Sequence, residues 1–377
     1  MKKIGLITYH GADNYGSLLQ SYALLKTLNN LDDMNAELVN FISDEQKEMY
    51  SIFFPCNSIK NMVKNAYILM KHYNIRKEKM KLFNTFREQY LKAKNEDSYN
   101  VITDEKVAKY DILVCGSDQI WNIRIKDFYD YYMLSFADNV KKISYAASMG
   151  GVDLALKDDE KEKIEKLLND FSAISVRENI CKFMIRECTD KEVVTNIDPV
   201  FLLEKEKWDK IASEQIVHEE YIFFYSVDYN EDSVKIAKWY AQKYNLPVYV
   251  LHTSWKSYVV CKEGMKWAKV QGIEDFISLV KYAKFVISGS FHGTAFSILY
   301  NKPFFRVQKR KNESELIVDD RIRTLFEKLH ISDREINIFN YKEMEKVLFD
   351  IDYSKVNDFI EKERQFSIEY LESAVKI

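Results

Sequence analysis

Small residues flank a single imidazole in the segment 288–293, which reads SGSFHG. Glycine lets backbone amides approach a ligand closely, and a helix start offers N–H groups that suit phosphate or carboxylate. The hydroxyls of Ser290 and Thr294 add donors beside Gly293, and His292 can donate or shuttle a proton near neutral pH. The pattern predicts an anion site followed by a helix from Thr294; the alternative is a tight turn with a structural histidine.

A second polar turn, HGADNYG, occupies residues 10–16 after the first hydrophobic run. Asp13 has the chemistry of a general base, and Asn14 and Tyr15 have groups that bind hydroxyls. The alternative is an Asp13 side chain that caps the helix that follows. Sequence alone favours neither interpretation.

A third polar loop, GSDQIWN, covers residues 116–122 after another hydrophobic run. Ser117 and Asp118 are predicted to face a ligand, and the ring of Trp121 suits stacking on a sugar. The alternative is a helix cap made by Ser117 or Asp118 beside a core tryptophan.

Arginines near the ends of elements are candidates for binding a carboxylate or phosphate through their forked donors. Arg177 ends a predicted strand, and Arg321 and Arg323 open a predicted helix. For Arg177 the alternative is a pair with Glu178. Of Arg321 and Arg323, we expect at least one to stay solvated.

Short hydrophobic runs alternate with helical patterns along the chain, which is typical of α/β folds with parallel sheets. Two such series are present, and a charged stretch near 205–220 separates them. The strands predicted in the first series are 3–8, 36–42, 111–115, 142–146, 173–176 and 193–196, and those in the second are 221–227, 247–251, 284–288 and 304–307. We predict a first domain at 1–210, a second at 211–345 and a helical tail at 346–377. Ligands bind at the carboxyl ends of strands in such sheets, which is where all three polar turns lie.

The bulk composition narrows the function classes. The 377 residues carry 55 basic and 58 acidic side chains, a net charge of −3, so nucleic acid is not the expected partner. Five widely spaced cysteines, no signal-peptide pattern and no apolar run of about 20 residues predict a cytoplasmic protein. No histidine or cysteine spacing predicts a metal site.

Residues 58–94 are predicted to be helical throughout, and within them 60–94 are rich in lysine and arginine, with apolar residues between the charges. Such a segment can rest on anionic lipid headgroups, so a peripheral contact with the inner membrane face is one interpretation. A solvated helix face is the more ordinary one.

Taken in order, these segments resemble the polysaccharide pyruvyl transferase family. The resemblance covers about residues 3–330. It depends on the ordered set of segments, because no single motif is specific by itself. Its pieces are 4–8, 14–24, 111–122, 144–150, 175–178, 198–203 and 288–304.

The resemblance implies two Rossmann-like domains facing a cleft, a glycosyltransferase-B-like architecture with the acceptor on the first domain and the donor on the second. It implies transfer of a pyruvyl group from phosphoenolpyruvate, the co-substrate, to two hydroxyls of a sugar, with no cofactor. The acceptor would be a saccharide, with a lipid-linked one as an option. His292 and Asp13 would be catalytic.

The remaining candidates divide between the two substrates. The donor side would comprise Arg177, Ser290, Gly293, Thr294 and Arg321, and the acceptor side Asn14, Tyr15, Ser117, Asp118 and Trp121.

One position departs from the family pattern. Many members carry arginine two positions before this histidine, where this chain has Ser290. Either Arg321, Arg323 or Lys302 compensates, or the donor differs. Two further functions stay open: a nucleotide-sugar-dependent glycosyltransferase of the same fold, and a non-catalytic binding module of a polysaccharide assembly complex.

Overall fold

The structure, a computed structural model, describes residues 1–151, 155–253, 257, 258, 260, 264–344 and 351–376. Part of the predicted tail, 346–350 and residue 377, lies outside these ranges. Within them the chain divides into two units, 1–202 with 366–377, and 203–365. The predicted first boundary was 210, and the predicted tail is divided between the units. No described helix is both long enough and apolar enough to cross a bilayer.

The first unit contains a six-stranded parallel sheet with the order β2-β1-β3-β4-β5-β6. The last four residues of β1 and all of β3 are buried, as expected where helices cover both faces of a sheet. They are β1 (Lys2–Ile7), β2 (Met34–Leu38), β3 (Ile112–Cys115), β4 (Lys141–Ser144), β5 (Phe171–Val176) and β6 (Val193–Thr195).

Helices connect and cover these strands. The first of them, α1, is buried along most of its length and packs against the short turn Pro199–Leu202. The bounds are α1 (Tyr15–Leu28), α2 (Asp44–Met49), α3 (Ile59–Lys71), α4 (Tyr73–Phe86), α5 (Asp104–Val107), α6 (Asp158–Leu168) and α7 (Asn179–Arg186). The segment 58–94, predicted as helical throughout, is broken at His72, and a π-helical turn (Arg87–Leu91) follows α4.

The second unit contains a second six-stranded parallel sheet with the order β12-β11-β10-β7-β8-β9. Its strands are β7 (Ile222–Tyr225), β8 (Val248–Val250), β9 (Lys266–Trp267), β10 (Phe285–Ser288), β11 (Phe304–Val307) and β12 (Glu335–Ile336). The helices are α8 (Lys205–Asp209), α9 (Glu231–Tyr244), α10 (Ile273–Tyr282), α11 (Phe291–Leu299) and α12 (Asp320–Leu329). Two parallel α/β units confirm the predicted fold class.

The helical character predicted for the end of the chain is also confirmed, by α13 (Tyr353–Lys376). This helix has residues in both units. In the second unit the hydroxyl of Tyr353 donates to the backbone oxygen of Lys302. In the first, Asn196 donates to the hydroxyl of Ser367 at 3.1 Å, and the hydroxyl of Tyr370 donates to the oxygen of Ser144 at 2.9 Å.

Candidate functional site

His292 lies in the first turn of a helix at the carboxyl edge of the second sheet. The helix α11 begins at Phe291 directly after β10, three residues before the predicted start at Thr294. Ser290 is its N-cap residue, in extended conformation, and its side chain makes no capping hydrogen bond. His292 is 7% exposed. The positive end of the helix dipole therefore coincides with an imidazole and a serine hydroxyl.

Packing within the protein requires glycine at both positions of this turn, and the expectation that the backbone at Gly293 approaches the donor stays a prediction. A Cβ on Gly289 would lie 2.6 Å from Oγ of Ser226, and one on Gly293 would lie 2.4 Å from Oγ of Ser288. The space that a side chain would need is filled by β10 and by the residue after β7. Gly293 is needed so that the helix can pack closely on the sheet.

Thr294 is corrected as a donor to a ligand. It is fully buried, and its hydroxyl donates to the backbone oxygen of Ser290 at 2.9 Å. The hydroxyl of Ser288 donates to the same oxygen at 2.9 Å and accepts from the amide of Ser290 at 3.1 Å. These bonds fix the backbone of the turn, and Ser290 remains the hydroxyl candidate for a ligand.

Arg306 brings a buried positive charge to the same edge of the sheet, and sequence reasoning missed it. It lies on β11 in register with Ser288 and is 4% exposed. Its guanidinium donates to Glu335 at 2.6 Å and to Asp319 at 3.3 Å, while its Nε is buried without a hydrogen-bond partner among the described residues. A charged residue in an otherwise apolar strand was the available signal.

Arg321, a predicted donor ligand, is held by the same acidic residue. Its Nε and Nη2 each donate to the Asp319 carboxylate at 2.8 Å, and its side chain is 16% exposed. Arg323 pairs with Asp320. Arg306, Asp319 and Arg321 therefore form one charged group at the start of α12.

In the first unit, Asp13 accepts a hydrogen bond from a buried arginine. Nη2 of Arg87 lies 2.5 Å from Oδ1 of Asp13, and Arg87 is 1% exposed. The same guanidinium donates to the backbone oxygens of His10 at 2.9 Å and Gly11 at 3.1 Å. A second cation is near: burial lowers the pKa of Lys79 to about 8, although the charge of Asp13 opposes that shift.

The residues after Asp13 have structural positions. Asn14, not Asp13, caps α1, because its Oδ1 accepts from the amides of Gly16 at 2.9 Å and Ser17 at 3.3 Å. Tyr15 is 1% exposed, and its ring packs against Phe83 with centroids 4.9 Å apart. The expectation that Tyr15 presents its side chain to an acceptor is wrong, because the ring belongs to the core.

Two of the three loop residues predicted to contact an acceptor are internal. Trp121 is fully buried and its indole N–H donates to the oxygen of Tyr132 at 3.1 Å, so it cannot stack on a sugar. Ser117 is fully buried and donates to the oxygen of Ala146 at 2.7 Å. Asp118 has left-handed backbone (φ 67°), and its carboxylate accepts from Ser17 at 2.6 Å.

Arg177 has a structural partner that the sequence did not reveal. Its Nη1 donates to Asp198 at 2.5 Å, and both side chains are almost completely buried. Its Nε lies 3.7 Å from Glu178, the partner that the sequence had suggested. This buried ion pair holds Nη1 of Arg177 in place, and the expectation that Arg177 binds the donor stays a prediction.

Phenols and carboxylates gather beside Asp13 and Asp118. The pKa of Tyr9 is raised well above its usual value by burial, and the nearby Tyr132, Asp127 and Asp118 add to the shift. Burial also raises the pKa of Tyr50, with contributions from Asp127, Asp118 and Asp13. For Asp127, burial is again the largest cause of a raised pKa. Asp13 and Asp118 therefore belong to one polar cluster, which sequence spacing did not disclose.

No group of three or more histidine, cysteine or acidic side chains that could hold a metal occurs in the described part of the chain. Four of the five cysteines, Cys56, Cys115, Cys181 and Cys188, are free thiols there. Cys261 lies outside the described residues.

Comparison with known proteins identifies a family and a fold. The model of the family described as polysaccharide pyruvyl transferase matches residues 14–308. No curated protein sequence matches significantly. Among solved structures, the S. aureus MnaA–UDP co-structure has a TM-score of 0.54 at 14% identity, covering 98% of this chain and 94% of that one.

A putative UDP-N-acetylglucosamine 2-epimerase from Listeria monocytogenes gives a TM-score of 0.55 at 9% identity, covering 100% of this chain and 95% of its own. At these identities the similarity concerns the fold, and it agrees with two Rossmann-like units of the glycosyltransferase-B type.

Proposed function

Because the chain belongs to the polysaccharide pyruvyl transferase family, we propose that it transfers a pyruvyl group from phosphoenolpyruvate to two hydroxyls of one sugar. The product is a cyclic ketal on a saccharide destined for a cell-surface polysaccharide. The observation that carries the proposal is the position of His292, in the first turn of α11 at the carboxyl edge of a parallel sheet. That turn lies inside the matched residues.

The donor part of the proposal uses groups of the second unit. The start of α11 and the Ser290 hydroxyl would bind the phosphate, because a helix N-terminus favours anions. Arg306 and Arg321 would supply the positive charge that the family arginine gives elsewhere. Arg306 lies beside Ser288 in the sheet, and the Asp319 carboxylate accepts hydrogen bonds from the guanidinium groups of both arginines.

The chemistry balances with these groups. His292 would donate a proton to the vinyl carbon of phosphoenolpyruvate, which leaves a cation at C2. One sugar hydroxyl adds to C2 and gives its proton to Asp13. The second hydroxyl then adds to C2 as the C–O bond to phosphate breaks, and its proton returns to His292. Asp13 releases its proton through solvent to the departing phosphate, so that the ketal and inorganic phosphate are the products and both side chains are restored. A positioned acid or base of this kind contributes about 10²–10⁴-fold to a rate.

On the acceptor side, the proposal retains Asp13 and Asp118 from the sequence analysis. Asn14 keeps its amide N–H₂ for a ligand, since only its Oδ1 is used in the cap. Lipid-linked saccharides are included among the acceptors.

The decisive experiment measures phosphate release and melting in parallel. Phosphoenolpyruvate at 100 times its dissociation constant should stabilise the protein by about 2.7 kcal/mol. With an acceptor present, His292→Ala and Asp13→Asn should each lose turnover by about 10²–10⁴-fold while the melting shift with phosphoenolpyruvate persists. His218→Ala, at an exposed histidine, should behave as the wild type.

The other two functions give different results. A melting shift with a uridine or guanosine diphosphate sugar, and none with phosphoenolpyruvate, would reject pyruvyl transfer in favour of a glycosyltransferase. A saccharide that binds with no turnover of any donor would favour a non-catalytic binding module.

A further inference from the structure

The helix α3 is amphipathic, but most of its apolar residues face outward. Its described surface includes Ile59 (81% exposed), Met62 (56%), Val63 (64%), Leu69 (61%) and Met70 (72%). Together with the exposed Ala66 between them, these residues recur at intervals of three and four, so they form one stripe along the helix. We call them the outward stripe.

The opposite face of α3 attaches it to the rest of the first unit. Ile68 is fully buried, and the side chain of Asn65 accepts from the amide of Phe54 at 2.9 Å and donates to its oxygen at 2.8 Å. The helix therefore has a buried inner face of its own, and the outward stripe lies on the side that faces solvent. An apolar surface of this kind commonly marks an interaction site.

Charge indicates what this surface binds. The segment 51–77 has no acidic residue and carries five cations, Lys60, Lys64, Lys71, Arg76 and Lys77. The chain as a whole has a net charge of −3, so the positive charge is concentrated locally. An apolar stripe flanked by cations matches a membrane interface, where the acyl boundary receives the apolar residues and anionic headgroups attract the lysines.

We propose that α3 docks peripherally on a membrane surface that contains anionic lipids, with the outward stripe inserted at the headgroup boundary. A second copy of the chain is the less favourable occupant. In a two-fold symmetric contact the same surface meets itself, which would bring the two sets of five cations together. This proposal concerns the surface on which the chain binds, and it does not depend on the identity of the donor.

The test is co-sedimentation of the full chain with lipid vesicles. Vesicles of phosphatidylcholine with phosphatidylglycerol should bind the protein, and vesicles of phosphatidylcholine alone should bind it much more weakly. Each lysine near an anionic surface contributes about 1 kcal/mol, or about fivefold in partitioning. Lys60→Glu with Lys71→Glu should therefore reduce binding by at least about 25-fold, and added salt should weaken wild-type binding.

The apolar part of the proposal has its own variant and control. Leu69→Glu with Met70→Glu should abolish vesicle binding and leave the melting temperature unchanged, because both side chains face solvent. Phe183→Glu replaces an equally exposed apolar residue (68%) on a different helix, α7, and should bind as the wild type does.

Two outcomes would overturn the proposal. One is a wild-type chain that stays in the supernatant with phosphatidylglycerol vesicles, or a Leu69/Met70 double variant that still sediments. The other is a wild-type dimer in light scattering that the double variant converts to a monomer without any vesicle binding, which would assign the outward stripe to self-association.

Discussion

Asp13 and Arg87 form an ion pair that joins positions 74 residues apart in sequence. Nη2 of Arg87 donates to Oδ1 of Asp13 at 2.5 Å, and the same arginine donates to the backbone oxygens of His10 and Gly11. The turn that carries the proposed base is thus held by a side chain from the π-helical segment after α4. The second carboxylate oxygen can accept a proton from a hydroxyl while the first is held in place.

Removing this arginine should destabilise the protein strongly. We expect Arg87→Met to lower the free energy of unfolding by about 3–5 kcal/mol, because it leaves a carboxylate and two backbone oxygens without their donor. Urea unfolding measures this change. The control is Arg124→Met at the exposed pair with Glu160, which should cost less than about 1 kcal/mol. Equal losses in the two variants would contradict the structural importance of the buried pair.

Lys79 should give the first unit a measurable pH dependence. Its pKa is lowered from 10.5 to about 8, mainly by burial. Between about pH 8 and pH 10.5 this lysine is protonated in the unfolded chain and largely neutral in the folded one. The unfolded state therefore binds more protons, and the contribution of Lys79 makes the free energy of unfolding rise with pH over this range. Below about 8 both states are protonated and the dependence ends.

The measurement is the difference in unfolding free energy between wild type and Lys79→Met, determined by urea unfolding at about pH 7.5 and about pH 10. These two pH values bracket most of the range over which the folded and unfolded states differ in protonation of Lys79. We expect the difference to shift in favour of the wild type at the higher pH. Lys77→Met, at an exposed lysine of the same helix, should show no such shift. A parallel response in the two variants would show that Lys79 titrates normally.

Trp121 should contribute to stability and not to acceptor binding. In Trp121→Phe the oxygen of Tyr132 loses its indole donor, which should cost about 1–3 kcal/mol in urea unfolding. The KM for the saccharide acceptor should be unchanged. A raised KM with normal stability would instead restore the stacking role that the sequence suggested.

The contact between Gly289 and Ser226 allows a test of the turn itself. Gly289→Ala would place a Cβ 2.6 Å from Oγ of Ser226, so we expect a loss of stability of about 1–3 kcal/mol. Ser226→Ala removes that oxygen, and the double variant should recover part of the loss. Additive losses in a double-mutant cycle would mean that the two residues are not in contact.

The sequence predicted local features well because local patterns determine them. Hydrophobic runs located ten of the twelve strands described, and the two that were missed, β9 and β12, have two residues each. The start of α11 was placed late at Thr294, although Ser290 is a residue type that commonly caps helices. The capping preference of serine therefore indicated the correct start of the helix, but the glycine at 293 argued for a later start.

The burial of individual polar and aromatic side chains was less predictable, since it depends on contacts between distant positions. Trp121 follows a strand as a ligand-facing residue would, yet its partner is Tyr132. Arg177 ends a strand as a ligand clamp would, yet it pairs with Asp198. Spacing along the chain contains no information on which of these side chains meets a protein partner first.

The helix α13 constrains how the chain is made. Its last part supplies Ser367 and Tyr370 to the first unit, whose other residues all precede 203. During synthesis, residues 1–202 leave the ribosome long before the segment that completes their packing. The contacts that Ser367 and Tyr370 make with the first unit can therefore form only after the whole second unit has been translated.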